Sequence, residues 1–425
     1  MEFKITSLDD IVEHCVDNRG KTCPTTEKEN EYLPLIATNC INDERLYPEF
    51  LKTRSIDEET YLNWFRSHPE PGDIIFVNKG TPGKTAFVPE KVNFCIAQDM
   101  VALRVKSEYH NRYIYAVLND PKVRDQIDNM QVGTLIPHFK KTDFKNLKLK
   151  IITNIAKQKK IGDFYFNICK KIELNYNTIE KLQQLSQTLF KHWFIDFEFP
   201  NEEGQPYKSS GGKMVESELG EIPKRWRVGE IDNLGTIIGG GTPSKKHDEY
   251  YTDNGISWIT PKDLSNDKNT FIYKGAIDIT ELGLKKGSAR ILQKDTVLFS
   301  SRAPIGYIAI AGKEVTTNQG FKSIVPDKGY SSYFIYQMLK FKLPVIEAAA
   351  GGSTFKEISG KGLKEIPVTL PTIELVNIYK EIVEPLFLQI QTLEKENQNL
   401  QQLRDTLLPK LLSGEIEIPD NLEVE

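Results

Sequence analysis

Between about residue 154 and residue 198, apolar side chains recur at steps of three, four or seven: Ile161, Phe164, Ile168, Ile172, Ile179, Leu182, Leu185, Leu189 and Trp193. That spacing keeps one stripe of a helix apolar and predicts a long helix with a coiled-coil seam. The rhythm returns after about residue 372 in Leu386, Ile390, Leu393, Leu400, Leu403, Leu407 and Leu411. An offset of 218 carries Ile168 onto Leu386, Ile172 onto Ile390, and Leu182, Leu185 and Leu189 onto Leu400, Leu403 and Leu407. Two polar residues interrupt the stripes. Asn175 stands where the second copy has Leu393, and Asn397 where the first has Ile179. Such residues either fix the register of a helix pair or mark a turn that faces solvent. Pro385 removes a backbone donor and Gly162 lowers helix propensity by about 1 kcal/mol, so the continuous part of each helix is expected to begin after them.

Ahead of each helix the pattern changes to short apolar runs separated by Gly, Pro, Asn and Lys, as expected for strands joined by tight turns. These stretches are also written twice. An offset of 223 places Phe3, Leu8 and Ile11 on Trp226, Ile231 and Leu234, and Leu33, Leu35, Ile36 and Ile41 on Ile256, Trp258, Ile259 and Leu264. Farther along, Gly133, Phe139, Phe144 and Leu147 match Gly352, Ile358, Leu363 and Ile366 at an offset of 219. Between the copies, FPNEEGQPYKSSGGKMVESELGEIPK is rich in Gly, Pro, Ser and charge and reads as a flexible linker. The expected layout is an α+β chain with an internal pseudo-two-fold repeat: a globular domain at 1–152, a helical region at 153–198, a linker at 199–225, a second globular domain at 226–371 and a second helical region at 372–425. The two long helices are expected to pair antiparallel as a coiled coil.

One stretch raises a nucleotide question. NKGTPGKT, residues 78–85, follows the apolar run Ile74–Val77 and contains Gly83-Lys84-Thr85, like a phosphate-binding loop. The full pattern needs a glycine where this chain has Asn78, and a helix after the lysine, whereas Thr85-Ala86-Phe87-Val88-Pro89 is β-prone. Its twin in the second copy, SSRAPIGYIAIA, has no Gly-Lys-Thr. A turn is the better reading.

Composition narrows the function classes. The 425 residues are 39% hydrophobic and 27% charged, as in a soluble protein of two or three domains. MEFKITSLDD has no signal-like apolar region and no stretch approaches a membrane span, so a cytoplasmic protein without membrane association is expected. The five cysteines include no Cys-x-x-Cys pair, and His14, Cys15 and Cys23 lack the spacing of a zinc site; neither metal nor cofactor is expected. The net charge of −4 argues on average against nucleic acid. Yet Lys140, Lys141, Lys145, Lys148 and Lys150 fall within eleven residues, either as a solvated face or as a phosphate-binding patch.

Several stretches carry a family resemblance. LGEIPKRW, IGGGTPSKKHDEYY and ISWITPKDLS open the second copy, and LSQTLFKHWFIDFEFP and LRDTLLPKLLSGEIEIP close the two helices. VDNRGKTCP stands in the first copy where GGGTPSK stands in the second. In this order, within a duplicated layout, they resemble the specificity subunit of type I restriction-modification systems over nearly the whole chain. The resemblance implies two target-recognition domains reading the halves of a split double-stranded DNA target, and helical regions that serve as spacer and docking site for two adenine-N6 methyltransferase subunits. Motor-nuclease restriction subunits would join that core, and the chain itself would not be an enzyme. The sequence agrees: no Pro-Pro pair exists for an adenine-methylating Asn/Asp-Pro-Pro-Tyr/Phe pocket, and Pro89-Glu90-Lys91 and Pro326-Asp327-Lys328 lack the second acid of a nuclease.

Side chains for base edges and phosphates are expected in loops rich in Gly, Asn, Ser, Lys and Arg. The candidates are Arg19, Lys21, Asn78, Lys79, Lys84, Lys140 and Lys141 in the first copy, and Lys245, Lys246, Ser301, Arg302 and Lys356 in the second. Gly239, Gly240 and Gly241 are expected to serve a turn. The acidic average favours a rival class, a coiled-coil scaffold whose duplicated heads bind proteins.

Overall fold

The computed structural model describes residues 2–18, 20–133, 136–352 and 356–418; the candidate Arg19 lies outside them. The chain forms two compact units, Met1–Asn177 with Glu396–Glu425, and Thr178–Lys395. Each unit therefore contains a globular domain and parts of both long helices.

In the first unit an antiparallel sheet runs in the spatial order Val12–Val16, Met100–Val105, Ile74–Val77, Thr85–Phe87. Its central strand, Ile74–Val77, is buried throughout because both faces are covered. Ile74 and Phe76 face a core shared with the helix Asn111–Leu118 and the first turns of the long helix, while Ile75 and Val77 pack with Ile36, Ile41 and Phe94. A second sheet, Arg54–Ile56, Leu33–Ile36, Cys95–Ile96, contains a parallel pairing of its last two strands. The ribbon Phe3–Ser7 with Lys148–Ile152 leads into the helix.

The second unit repeats this plan. Its larger sheet runs Thr236–Gly239, Lys322–Val325, Val297–Ser301, Ile305–Ala311, with Phe271–Ile272 added at the edge. Ile256–Ile259 and Thr316–Thr317 pair in parallel, as Leu33–Ile36 and Cys95–Ile96 do. The ribbon is Arg227–Glu230 with Pro367–Leu370.

The long helices are Ile155–Phe194 and Ile373–Ser413, of 40 and 41 residues. Both run unbroken through the residues expected to interrupt them. At Gly162 a Cβ would lie 2.5 Å from the Tyr113 backbone nitrogen, so glycine there admits the backbone of the neighbouring helix. Pro385 is exposed and flanked by the buried Val383 and Phe387; packing of those two holds the helix while the carbonyl freed at exposed Glu381 faces water.

Inside each unit the helix segments run antiparallel. In the first, Tyr165 and Cys169 share a core with Leu408, Leu411 and Leu412. In the second, Phe190, Trp193 and Phe194 surround Tyr379 at ring-centroid distances of 6.2, 5.8 and 4.9 Å. Of the expected seam, Ile168, Ile172, Ile179, Ile390 and Leu393 are buried, and Leu182, Leu189, Leu386, Leu400 and Leu407 are half-buried. Leu185 and Leu403 are a correction: they are 54% and 45% exposed. At 3.6 residues per turn the inward stripe drifts off a strict seam, and the next position faces inward in both copies, as Ser186 and as Arg404.

The segment between the copies is tied down at several points, although most of its residues are exposed. Phe199 stacks on Tyr207 at 4.6 Å and on Trp226 at 5.5 Å, and Met214–Val215 pairs with Ile222–Pro223. Its aromatic residues supply the burial that its overall composition conceals.

Candidate nucleic-acid interface

NKGTPGKT is the turn of the hairpin Ile74–Val77/Thr85–Phe87, with Gly80 and Gly83 in the left-handed region at φ 90° and 86°. Thr85 opens a strand, so no helix N-terminus is present to hold phosphate. Asn78 is buried and its Nδ2 donates to the Phe139 carbonyl at 3.0 Å, while the Phe139 amide donates to the Asn78 carbonyl at 2.8 Å. Asn78 thus ties the turn to the segment after residue 135 and is withdrawn from any DNA surface, contrary to expectation. Beside it Lys79 and His138 form an antiparallel bridge, and the Gly80 amide donates to the Pro137 carbonyl at 2.9 Å.

This junction exposes Lys79 and Lys140. Lys141 Nζ meets Asp17 Oδ2 at 2.5 Å, which adds the loop of Lys21, also exposed, to the same cluster. Burial works most strongly against the Lys141 charge, but the Asp17 hydrogen bond together with the nearby Cys15 and Asp17 groups outweighs it and holds the pKa above the ordinary lysine value. Arg66 Nη1, 3.9 Å from Asp17 Oδ1, is a cation that sequence reasoning missed, because only the fold brings it to that loop. Lys84 instead pairs with Asp43 at 3.7 Å. The lysine run does not form one patch: Lys148 and Lys150 leave the loop for the ribbon, where Lys150 Nζ lies 3.8 Å over the Phe3 ring.

The second unit builds the same junction. Arg302, in the turn of the hairpin Val297–Ser301/Ile305–Ala311, bridges Glu357, and Glu357 bridges Gly351 as His138 bridges Val132. Arg302 Nη1 lies 3.5 Å from Glu357 Oε2. Ser301 is a second correction: it is fully buried and its Oγ donates to the Gly320 carbonyl at 3.1 Å. Lys356 is exposed beside Glu357, and Lys245 and Lys246 are exposed in the loop after the three glycines. Two of those glycines are needed for close backbone approach: a Cβ on Gly240 would collide with the Asn318 carbonyl, and one on Gly241 with the backbone of Ser288.

These clusters offer donors and positive charge. Among the described residues no three His, Cys, Asp or Glu side chains gather where a metal ion could sit. Burial pushes the thiols of Cys15 and Cys23 up to about 11 and that of Cys95 up to about 12, far from the range of a reactive thiolate. Among the described residues no helix is long and apolar enough to cross a membrane.

Two copies of one mixed sheet-and-helix domain, each with its hairpin turn bridged to a loop that carries an exposed lysine, make up the chain. Residues 1–184 and 223–404 both match the family model for the type I restriction modification DNA specificity domain, and the chain belongs to that family. It is 41% identical over 192 residues to the type I restriction enzyme MjaIX specificity subunit of Methanocaldococcus jannaschii, a match that covers 43% of this chain and 44% of that relative. The HindI specificity subunit of Haemophilus influenzae is 28% identical over 312 residues, 61% of this chain and 67% of the relative. The putative MjaX specificity subunit of Methanocaldococcus jannaschii is 23% identical over 436 residues, 98% of this chain and 94% of the relative. The crystal structure of a type I restriction-modification S subunit from M. genitalium shares the fold with a TM-score of 0.59 at 17% identity, covering 99% of this chain and 97% of that one.

Proposed function

We propose that this chain is the non-catalytic DNA-reading subunit of a type I restriction-modification complex in the cytoplasm. Residues 1–152 and 226–371 act as target-recognition domains, each for one half of a split double-stranded target. The helical regions 153–198 and 372–425, with the connection 199–225, set the spacing of the domains and dock two adenine-N6 methyltransferase subunits, to which motor-nuclease restriction subunits attach. Lys21, Lys79, Lys140, Lys141, Lys245, Lys246 and Lys356 neutralise phosphate, joined by Arg66, and Arg302 reaches the bases. Lys84, paired with Asp43, contributes at the margin.

The observation that supports this reading most strongly is the repeated junction: the same hairpin turn, bridge and cationic loop occur in both domains of a chain whose family model matches twice. Lysines that meet phosphate make log K fall linearly with log salt, by about 0.9 for each phosphate neutralised. Methylome sequencing of cells with and without the gene tests the reading, together with DNA binding by the assembled methyltransferase complex across a salt series. The expected result is one split methyl-adenine motif lost with the gene, and a steep salt slope. A motif unaffected by the deletion, with a flat salt line, would establish the protein-binding scaffold instead.

A further inference from the structure

The bridge that closes each basic cluster is the same in both domains, but its residues are not. Around it the framework is kept. Gly133 and Gly352 both adopt left-handed backbone, at φ 98° and 105°, and Val132 and Gly351 bridge His138 and Glu357 in the same way. At the bridge itself Lys79 and His138 in the first domain give way to Arg302 and Glu357 in the second. Residues directly opposed across an antiparallel bridge project to the same side. Arg302 and Glu357 accordingly meet at 3.5 Å, with their side chains 35% and 41% exposed.

An exposed carboxylate at the bridge itself accepts hydrogen bonds and repels the DNA backbone, so phosphate neutralisation does not account for Glu357. In the major groove a carboxylate does have a partner, the amino group of cytosine, and the guanidinium fork matches O6 and N7 of guanine. Holding Arg302 beside Glu357 also restricts the guanidinium before DNA arrives, so less side-chain freedom is lost on binding. Resting on the DNA-reading assignment above, we infer that Arg302 and Glu357 are the base-reading pair of the second domain and specify a G·C pair in the second half-site. Lys79 and His138 hold the corresponding place in the first domain. A framework kept across the copies with the exposed pair exchanged is what two half-sites of different sequence require.

The test is methylome sequencing of cells carrying the intact complex with Arg302→Ala, Arg302→Lys, Glu357→Ala or Glu357→Gln, with thermal stability measured in parallel. Each variant should relax one G·C position in the second half of the motif, reducing discrimination there roughly 10- to 100-fold. Glu357→Gln should admit adenine at the cytosine position, because an amide can both donate to and accept from adenine. The first half should keep its sequence. Glu357→Gln and Arg302→Lys conserve size and keep the test decisive if the alanine variants fail to fold. Methylation of an unchanged motif by stable Glu357→Gln and Arg302→Lys complexes, at any rate, would overturn the inference and leave the pair as a loop contact. Absence of any gene-dependent methylated motif in wild-type cells would instead overturn the DNA-reading assignment itself.

Discussion

Asn175 and Asn397 are each only 3% exposed, yet they lie in the packed contact between the long helices. Asn175 Nδ2 donates to Asn397 Oδ1 at 2.9 Å and to Glu396 Oε2 at 2.8 Å, and Lys171 Nζ meets the same carboxylate oxygen at 3.2 Å. Asn175→Ala removes the donor and strands the Asn397 oxygen inside the contact. An orphaned buried acceptor costs about 1–3 kcal/mol, and the small void adds about 1 kcal/mol, so the local helix pair should lose about 2–4 kcal/mol. Asn397→Ala should cost less, because among the described residues Asn397 Nδ2 has no hydrogen-bond partner to lose. The double-mutant cycle should then show a coupling of about 1–2 kcal/mol. Replacing both by leucine should restore or exceed the original stability, since apolar seams are the more stable and polar ones the more selective for register.

A single unfolding midpoint is a poor measure for a chain of two units. The assay is hydrogen exchange of the intact protein, followed over the helix segment around residues 165–178. An opening free energy in Asn175→Ala within about 0.5 kcal/mol of wild type, or an additive cycle, would show that water rather than the partner asparagine satisfies these groups.

Three further outcomes are expected. Gly162→Ala, favourable by helix propensity alone, should destabilise the first unit by about 1–3 kcal/mol in the same exchange assay, because its Cβ meets the Tyr113 backbone at 2.5 Å. Burial lifts the Glu394 carboxyl from 4.5 to about 7, although the Thr270 and Phe271 amides donate to it at 2.6 and 3.1 Å. The folded form thus keeps the proton that the unfolded chain releases, so the contribution of Glu394 to stability is full below pH 4.5 and falls by up to roughly 3 kcal/mol as pH rises through about 7; Glu394→Gln should remove this component from denaturant midpoints measured across pH. Lys140→Ala combined with Lys141→Ala should lower the salt slope of DNA binding by about 2 and leave the methylated motif unchanged.

The duplication was legible because apolar positions repeat wherever a core repeats: Leu35 and Trp258 take equivalent places in the parallel strand pairs. The turn at NKGTPGKT was legible from its glycines and the β-prone residues after it. Individual loop side chains were not. Asn78 and Ser301 have the composition of surface loops, and only the segments packed against them turn them inward. Arg66 reaches Asp17 through the fold, and nothing local marks it. The asparagines in the stripes were visible as departures, but their meeting across 222 positions was not. Glu357, placed in the proposed reading pair, was not legible either, because phosphate contact by itself calls for cations.

The two copies also complete one another in a way that helical periodicity does not reveal. Residues 178–194 close the core of the unit containing the second domain, and residues 396–412 close that of the unit containing the first. Within these closing stretches LQQLSQTL, residues 182–189, matches LQQLRDTL, residues 400–407, at the offset of 218. The inward position is Ser186 in one and Arg404 in the other, and each is fitted to its own unit. Ser186 Oγ accepts from Gln337 Nε2 at 2.9 Å, whereas the Arg404 side chain is largely buried with its Nε on Asp405 at 2.7 Å. Arginine at 186 would bring a cation against Gln337 without a carboxylate, and serine at 404 would leave the space of a guanidinium. The helices of the two copies are therefore no longer interchangeable, although their leucines are. The same constraint bears on exchange of the proposed recognition domains: an incoming 226–371 must bring a partner for Ser186 where Gln337 stands, and backbone amides for Glu394 where Thr270 and Phe271 stand. Loops such as those of Arg302 and Glu357 are outside that constraint, so under the proposed reading the half-site sequence can change while the fit of domain to helix is kept.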